Sequence, residues 1–176
     1  MSDVLTPQQR HKCMANIRSK NTKPEVKLRK ELFGLGYRYR VNVKSLPGKP
    51  DIVLAKYHTC IFVNGCFWHG HKGCSKYVEP KTNVDFWRAK VAANRERDLC
   101  NYRDLEAKGW RVIVIWECEL GRKDWVNTVD QIMQQLDSNR QEWLTEKADR
   151  RKRREEWQEE MRRRKESRDA ILQSLK

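Results

Sequence analysis

The chain has 176 residues, of which 38% are hydrophobic and 35% charged, and its net charge is +14. This composition argues against a membrane protein, because no run approaches about 18 apolar residues, and seven Trp and five Tyr argue against wholesale disorder. Residues 140–176 carry only +4 of the charge, so the basic character belongs mainly to the body of the protein. A basic body of this kind indicates an anionic polymer, nucleic acid first, as the partner.

The first part of the chain predicts two helices. Thr6 to Lys20 is the first, with Met14 on one side. Thr22-Lys-Pro-Glu25 has the form of a capping box with Pro at an early position, and it opens a second helix that Gly34 ends. The first four residues lack a basic start followed by an apolar run, so we expect no secretory signal and a cytoplasmic protein.

Strands and a further helix are predicted in the middle of the chain. Short strands are expected at Tyr37–Val43, Asp51–Tyr57 and Thr59–Phe67. A long helix from Asn83 to Lys108 follows, and the apolar run Trp110–Trp116 predicts a buried central strand. This order predicts a mixed α/β fold.

The last part of the chain is free of helix breakers. The last Gly is Gly121 and the last Pro is Pro80, so the segment after them is expected to be helical. Its first part, to about Leu144, has an amphipathic face that can dock on a core, whereas 145–176 is predicted to project as a charged helix. We therefore expect a domain over 1–140 and a helical extension over 141–176, the latter either a phosphate-binding arm or an inert or partner-binding extension.

Three cysteines and a histidine have the spacing of a metal site. Cys66, His71 and Cys74 lie within nine residues, and Cys118 follows the predicted buried strand. Three sulfurs and one nitrogen suit tetrahedral Zn2+, and a site closed in this way is structural. Packing of small thiols explains a Gly-rich loop badly, so zinc is the favoured interpretation.

An acidic residue and a second histidine suggest catalysis. Asp51 follows Pro50 at a strand entrance, where a carboxylate in a basic protein is a candidate ligand for Mg2+. His69 lies beside the zinc loop and is a candidate general base for an attacking water. Spacing alone leaves the opposite assignment open, with His69 as the zinc ligand and His71 free.

Large aromatic residues occur in pairs next to these sites. Phe67-Trp68 follows Cys66, and Phe86-Trp87 opens the long helix. Such pairs either wedge into a base stack or cover the core and the zinc site, and the sequence does not decide between the two. The same helix carries cations that predict either a phosphate-tracking face or a solvated one: Arg88, Lys90, Arg95 and Arg97.

Several of these motifs together resemble the very short patch repair (Vsr) mismatch endonucleases over about residues 7–120. The segments that carry the resemblance are Leu46-Pro-Gly-Lys-Pro-Asp51, Gly65-Cys-Phe-Trp-His69, Phe86-Trp87, Asn94-Arg-Glu-Arg-Asp98 and Gly109-Trp-Arg-Val-Ile-Val-Ile-Trp-Glu-Cys118. The resemblance implies a restriction-endonuclease-like fold, a mixed sheet flanked by helices. It also implies a Mg2+-dependent enzyme that nicks double-stranded DNA 5′ of the T in a T·G mismatch left by deaminated 5-methylcytosine. Mismatch-repair proteins would be its partners, in a bacterial cytoplasm at the nucleoid.

The resemblance also implies a role for each matching residue. Asp51 and the backbone carbonyl of Val63 would bind Mg2+, His69 would be the general base and Glu25 would support the active site. The zinc ligands would be Cys66, His71, Cys74 and Cys118. The residues inserted into DNA would be Met14, Phe67, Trp68 and Trp87. Independently of the resemblance, the charge pattern of the helix makes Arg88, Lys90 and Arg95 candidate phosphate contacts.

This sequence departs from the resemblance at Val63-Asn64, where the family often has Thr-His. A backbone carbonyl is available from any residue, so Val63 can still serve, whereas Asn64 removes an imidazole. Two other functions remain open: a sequence-specific, restriction-like nuclease that acts on paired DNA, and a non-catalytic zinc-stabilised DNA-binding module. Glu25, Asp51 and His69 together argue against the binding module, which needs none of them.

Overall fold

The computed structural model describes residues 6, 8–9, 12, 15–16, 20–121 and 123–174, with side chains as far as residue 170. Most of the predicted first helix, including Met14, lies outside these residues. Within the described part the chain forms a small sheet packed between helices. In chain order the elements are α1 (Lys23–Gly34), β1 (Ile52–Leu54), a short 3-10 helix (Ala55–Tyr57), β2 (Thr59–Asn64), α2 (Val84–Ala107), β3 (Arg111–Trp116) and α3 (Trp125–Ser174).

The sheet is mixed, as the sequence predicts. Its strand order is β1-β2-β3, with β1 antiparallel and β3 parallel to the central strand β2. The prediction of a buried central strand at Trp110–Trp116 is therefore wrong: within the described sheet β3 is an edge strand, and only Ile113 and Ile115 in it are buried. Ile52 lies opposite Ile61, and Asn64 lies opposite Trp116. The parallel pair needs a long connection between its strands, and α2 provides it.

The predicted strand Tyr37–Val43 is wrong. Only Arg40 pairs in this segment, through one isolated antiparallel bridge to Val53. Asn42 adopts a left-handed backbone, with φ of 48°, which ends the extended run soon after the bridge. The two neighbouring strands are shorter than predicted, because Ala55–Tyr57 turns into the 3-10 helix and β2 ends before Gly65.

Apolar side chains cover both faces of the sheet. One cluster joins α1, the sheet and the first part of α3, and its fully buried members are Leu28, Leu32, Ile52, Leu54, Ile61 and Leu136. The other cluster lies under α2 and is formed by Val53, Cys60, Phe62 and Leu105. The functional side chains described below lie on the loops and helices around a sheet that is packed on both sides.

The helix α3 docks on the sheet with its first half. The hydroxyl of Thr128 donates to the Glu119 carbonyl (2.9 Å) near the end of β3, and the buried Asn139 amide donates to Thr59 Oγ1 (3.1 Å) at the start of β2. The helix therefore runs along the sheet from the end of β3 towards the start of β2. The predicted boundary between residues 140 and 141 falls inside this single helix, so the division into a domain and an extension stays a prediction. Among the described residues, no helix combines the length and the apolar character that a membrane crossing requires.

Candidate active site and metal centre

Asp51 lies at the entrance of β1, beside the end of β2. Its Oδ2 accepts a hydrogen bond from the Val63 backbone N–H (2.8 Å). Among the described residues, no hydrogen bond is made to the other carboxylate oxygen, Oδ1. One side of the carboxylate is thus fixed to the sheet, and the other side can bind a ligand from solution.

The environment of Asp51 disfavours a bare negative charge. Burial raises its pKa to about 6, and the nearby Glu25 carboxylate also raises it, against the opposing effects of the Val63 N–H, Arg29 and His69. A carboxylate held in this way gains stabilisation from a cation. This is the charge arrangement expected of a metal ligand.

Glu25 is buried at the start of α1 with its carboxylate fully engaged. It accepts hydrogen bonds from the Thr22 hydroxyl (2.7 Å) and from the Asn21 backbone N–H (2.9 Å). Arg29, one turn further along α1, forms an ion pair with Glu25 (3.1 Å) and donates to the Asp51 carbonyl oxygen (2.9 Å). Glu25 therefore supports the backbone that presents Asp51 rather than offering a free carboxylate of its own.

His69 is oriented by an acidic partner on α2. Its Nδ1 forms a short hydrogen bond with Asp98 Oδ2, and the two side chains are about one fifth exposed. Because Nδ1 is engaged, Nε2 is the nitrogen left to take a proton. Asn94, one turn before Asp98, donates to the Trp68 carbonyl oxygen (2.9 Å), so α2 holds the loop both at Trp68 and at His69.

The four predicted zinc ligands come together. One ligand atom from each of Cys66, His71, Cys74 and Cys118 lies within 4.8 Å of all the others. His71 Nδ1 is 3.3 Å from Cys118 Sγ, and the His71 ring stacks on Trp116 with centroids 4.1 Å apart. The structure places His71, not His69, with the thiols, which fits the first of the two assignments that the spacing leaves open.

The chemistry of this cluster suits a cation with four ligands. Burial raises the pKa of Cys66, and burial followed by the neighbouring thiols raises the pKa of Cys118 to about 12. The Lys76 backbone N–H, 3.4 Å from Cys74 Sγ, lowers the pKa of Cys74. Three clustered sulfurs and one nitrogen are the donor set of a structural zinc site, and a bound cation would stabilise the thiolates that burial disfavours.

The aromatic residues form one cluster beside His69. Ring centroids are 5.2 Å apart for Phe67 and Trp87, 5.3 Å for Phe67 and Trp68, and 5.9 Å for Trp68 and Trp87. These three side chains are half-buried, whereas Phe86, which packs edge-on against Trp87, is 62% exposed. The cluster thus shields the loop on one side and presents ring surface on the other.

The cations of α2 lie on the same helix as Trp87 but differ in their partners. Arg88 forms an ion pair with Glu79 (2.6 Å), and both side chains are largely exposed. Lys90 and Arg95 are exposed, and among the described residues neither takes part in an ion pair. Two of the three predicted phosphate contacts on α2 are therefore free to bind an anion.

Comparison with known proteins agrees with this geometry. The family model for the DNA mismatch endonuclease Vsr matches residues 2–76. The type II nicking enzyme V.NmeAIP of Neisseria meningitidis is 54% identical over 123 residues, which is 70% of this chain and 87% of that protein. The DNA mismatch endonuclease Vsr of Escherichia coli K12 is 42% identical over 120 residues, 68% of this chain and 76% of that protein. The chain belongs to the Vsr family. A further relative, the type II nicking enzyme V.XorIIP of Xanthomonas oryzae, is 49% identical over 68% of this chain and 88% of its own length.

Three residues at this Vsr site lie outside the set that the sequence predicts. Arg29 and Asp98 hold Glu25, Asp51 and His69 in place, as described above. Tyr102 accepts a hydrogen bond from the Asn64 amide (3.0 Å), and burial raises the pKa of Tyr102 to about 12. The i,i+4 spacing of Glu25 and Arg29 is a signal that could have found the arginine. Asp98 stands in one of the segments that resemble the family, but nothing in its spacing points to His69.

Proposed function

We propose that this chain is a Mg2+-dependent DNA mismatch endonuclease that nicks double-stranded DNA 5′ of the T in a T·G mismatch. Membership of the Vsr family supports the reaction class. The observation that carries the proposal is the convergence of a half-buried carboxylate at Asp51, an oriented imidazole at His69 and a half-buried aromatic cluster beside them.

The proposed roles follow from the contacts of each side chain. Asp51 Oδ1 and the Val63 carbonyl would hold Mg2+, which when bound stabilises negative charge at the scissile phosphate. His69 Nε2 takes the proton of the water that attacks phosphorus, and Asp98 stabilises the imidazolium that forms. The bond from phosphorus to the leaving oxygen breaks, and that oxygen takes a proton from solvent. Glu25 and Arg29 keep Asp51 in position during this step.

Substrate choice is proposed to rest on the aromatic cluster. Phe67, Trp68 and Trp87 present ring surface next to His69, where they can enter a base stack from one groove. A mismatched step is cheaper to unstack than a paired one, so insertion favours mismatched DNA. Met14, outside the described residues, is proposed to wedge from the opposite groove.

Three further features remain part of the proposal. The antiparallel pair β1–β2, with Asp51 at its entrance and Glu25 on α1, supports a restriction-endonuclease-like fold. The ligand set Cys66, His71, Cys74 and Cys118 supports structural Zn2+. The relatives are bacterial, which supports action in a bacterial cytoplasm at the nucleoid, together with mismatch-repair proteins.

The test is a cleavage matrix with end-labelled duplexes that differ only in one base pair. With Mg2+, the purified protein should nick the T strand of a T·G duplex and leave the matched C·G and T·A duplexes intact. Equal nicking of paired duplexes would instead favour the restriction-like nuclease, and binding without nicking would favour the DNA-binding module.

Two histidine variants test the assignment of roles. His69→Gln should abolish nicking while the zinc content stays at one per chain, because His69 lies outside the thiol cluster. His71→Gln should lower the zinc content. If His69→Gln lost zinc and His71→Gln kept it, the roles of the two histidines would have to be exchanged.

A further inference from the structure

The second half of α3 extends beyond the body of the protein. Its last ion pair with another element joins Glu146 to Arg111 on β3 (2.7 Å), and every side chain from 148 to 170 is exposed. We call residues 148–170 the arm. At 1.5 Å per residue the arm is about 33 Å long.

Charge is divided between two sides of the arm. Successive residues of an α-helix are rotated by about 100° around its axis. On this basis about half of the circumference of the arm carries no carboxylate, and we call this side the basic face. Its members are Arg150, Arg153, Arg154, Trp157, Met161, Arg164, Lys165 and Arg168. The opposite side carries the acidic residues together with Lys152 and Arg163.

The acidic side is neutralised within the helix. Glu155 and Glu156 pair with Arg151 and Lys152, and Glu159 pairs with Arg163, each at the i,i+4 spacing. Pairs at this spacing support an isolated helix. Glu146, Glu160 and Asp169 pair with three cations of the basic face, Arg150, Arg164 and Arg168.

Three cations of the basic face are unpaired. Within the described part of the chain, Arg153, Arg154 and Lys165 belong to no ion pair. Between them lie Trp157, 61% exposed, and Met161, 45% exposed, one turn apart. By the same 100° step, this face continues the side of α3 that packs on the sheet through Val129, Ile132 and Leu136.

We propose that the basic face of the arm binds the phosphates of duplex DNA outside the nicked step. The inference rests on the proposed function, which brings duplex DNA to this chain. A row of unpaired cations around an aromatic ring matches a phosphate backbone in charge. A membrane surface would need a continuous apolar stripe, and two apolar side chains do not form one. A second copy of the arm would bring one basic face against another.

The direction of α3 determines where these phosphates lie. Asp51 is bonded to Val63 near the end of β2, whereas Asn139 is bonded to Thr59 at its start, and the arm follows Asn139. The arm therefore projects from the end of the sheet remote from the active site. It reaches phosphates in the flank of the mismatch, over a span of about 10 base pairs at 3.4 Å per step.

A pair of double variants tests the proposal in the full chain. Arg154→Gln with Lys165→Gln removes two cations from the basic face, and Lys152→Gln with Arg163→Gln removes two from the acidic side. Both lower the net charge equally. Binding of a labelled T·G duplex of about 40 base pairs is measured without added Mg2+ between 50 and 200 mM salt, and circular dichroism checks that both variants stay helical.

The slope of log K for DNA binding against log salt concentration should be smaller in the basic-face variant by up to about 1.8, because each lost phosphate contact removes about 0.9. The control variant should keep the slope of the unaltered chain. On a duplex of about 12 base pairs centred on the mismatch, all three proteins should bind alike. Equal losses in both variants, or the same loss on the short duplex, would overturn the proposal. Two other results would overturn it, each with the salt slope of DNA binding unchanged in the basic-face variant. One is a dimer that forms through Trp157 and is lost in that variant, and the other is binding to anionic vesicles that is lost in that variant.

Nicking separates this inference from the function on which it rests. At low salt with Mg2+, both variants should nick a saturating T·G duplex at the rate of the unaltered chain, because the substitutions lie outside the active site. If the unaltered chain nicks and the arm variants bind normally, only the role of the arm fails. If the unaltered chain does not nick, the proposed function itself fails.

Discussion

At the scale of single residues, the active site depends on acidic groups with different duties. Asp51 keeps one oxygen for a ligand, Glu25 is engaged with Arg29 and with the two residues before its helix, and Asp98 is engaged with His69. A basic protein gains nothing for solubility from buried carboxylates, and burial of an acid is costly unless it is paired. Each acid is therefore retained for the position of a neighbour or of a cation.

Asp98 is expected to act through His69. Asp98→Asn replaces an acceptor with an amide, so the imidazole loses the partner that leaves Nε2 free to take a proton. The nicking rate at saturating DNA should fall by about 10²- to 10⁴-fold, the range of general-base catalysis, while the Kd for the T·G duplex stays the same. Single-turnover kinetics and binding anisotropy measure the two quantities separately.

Asp104→Asn on the same helix is the matched control. Asp104 is exposed, and no hydrogen bond or ion pair joins it to another described residue. Asp104→Asn removes the same charge as Asp98→Asn and should leave the nicking rate unchanged. If Asp98→Asn weakened DNA binding as much as it slowed nicking, or if both variants slowed nicking equally, Asp98 would have no specific role at His69.

At the scale of elements, a ring stack fastens α3 to the sheet. His58 lies between Trp110 and Trp143, with ring centroids 4.4 Å and 5.2 Å away. His58 has a left-handed backbone, with φ of 50°, that turns the chain from the 3-10 helix into β2. The stack therefore joins the turn before β2, the residue before β3 and the middle of α3.

The stack should make stability depend on pH. Burial, followed by Arg111 and Arg150, lowers the pKa of His58, against a smaller opposing effect of Glu146. The folded protein thus favours neutral His58. The contribution of the His58 stack to the stability of the fold is therefore fully present above the unfolded pKa of about 6.5, and it is lost as the pH falls through the folded pKa. Urea unfolding between pH 5 and 7.5 should show lower stability at the acidic end.

A variant isolates the contribution of His58 from that of the other histidines. His58→Asn keeps a residue that tolerates the left-handed backbone but does not titrate. It should be less stable than the unaltered chain at pH 7.5, and the difference should shrink towards pH 5. A constant difference across this range would show that protonation of His58 does not loosen the stack.

The contact between the metal loop and α2 depends on one glycine. Gly70 has φ of 64°, and a Cβ at this position would lie 2.5 Å from Val91 Cγ1 on α2. Gly73→Ala is a fitting control, since Gly73 has φ of 75° but nothing within 4 Å of its Cβ position. Urea unfolding should therefore show Gly70→Ala to be less stable than Gly73→Ala by about 1–3 kcal/mol, the cost of overpacking. Equal losses would mean that backbone strain alone matters at Gly70.

At the scale of the whole molecule, the sequence predicts those features that depend on residues close together in the chain. Gly109 marks the end of α2, the lack of breakers after Gly121 predicts α3, and the spacing from Cys66 to Cys74 predicts the metal group. The prediction of a strand at Tyr37–Val43 is wrong although polar and apolar residues do alternate there, because only Arg40 pairs with another strand, through one bridge. Asp98 escapes prediction because its partner lies 29 residues away in the chain, and only the packing of α2 brings the two together.

The metal group should govern the stability of the whole fold, because it joins the loop after β2 to the end of β3. Cys118→Ser should lower the zinc content well below one per chain and the free energy of unfolding by at least about 3 kcal/mol, a fraction of the roughly 10–16 kcal/mol of structural zinc sites. Cys100→Ser is the control, because Cys100 is exposed and lies outside the group. Thermal unfolding with and without a strong chelator measures the effect. The chelator should destabilise the unaltered chain and Cys100→Ser but leave Cys118→Ser unchanged, whereas an equal response of all three proteins would refute a structural role for the metal.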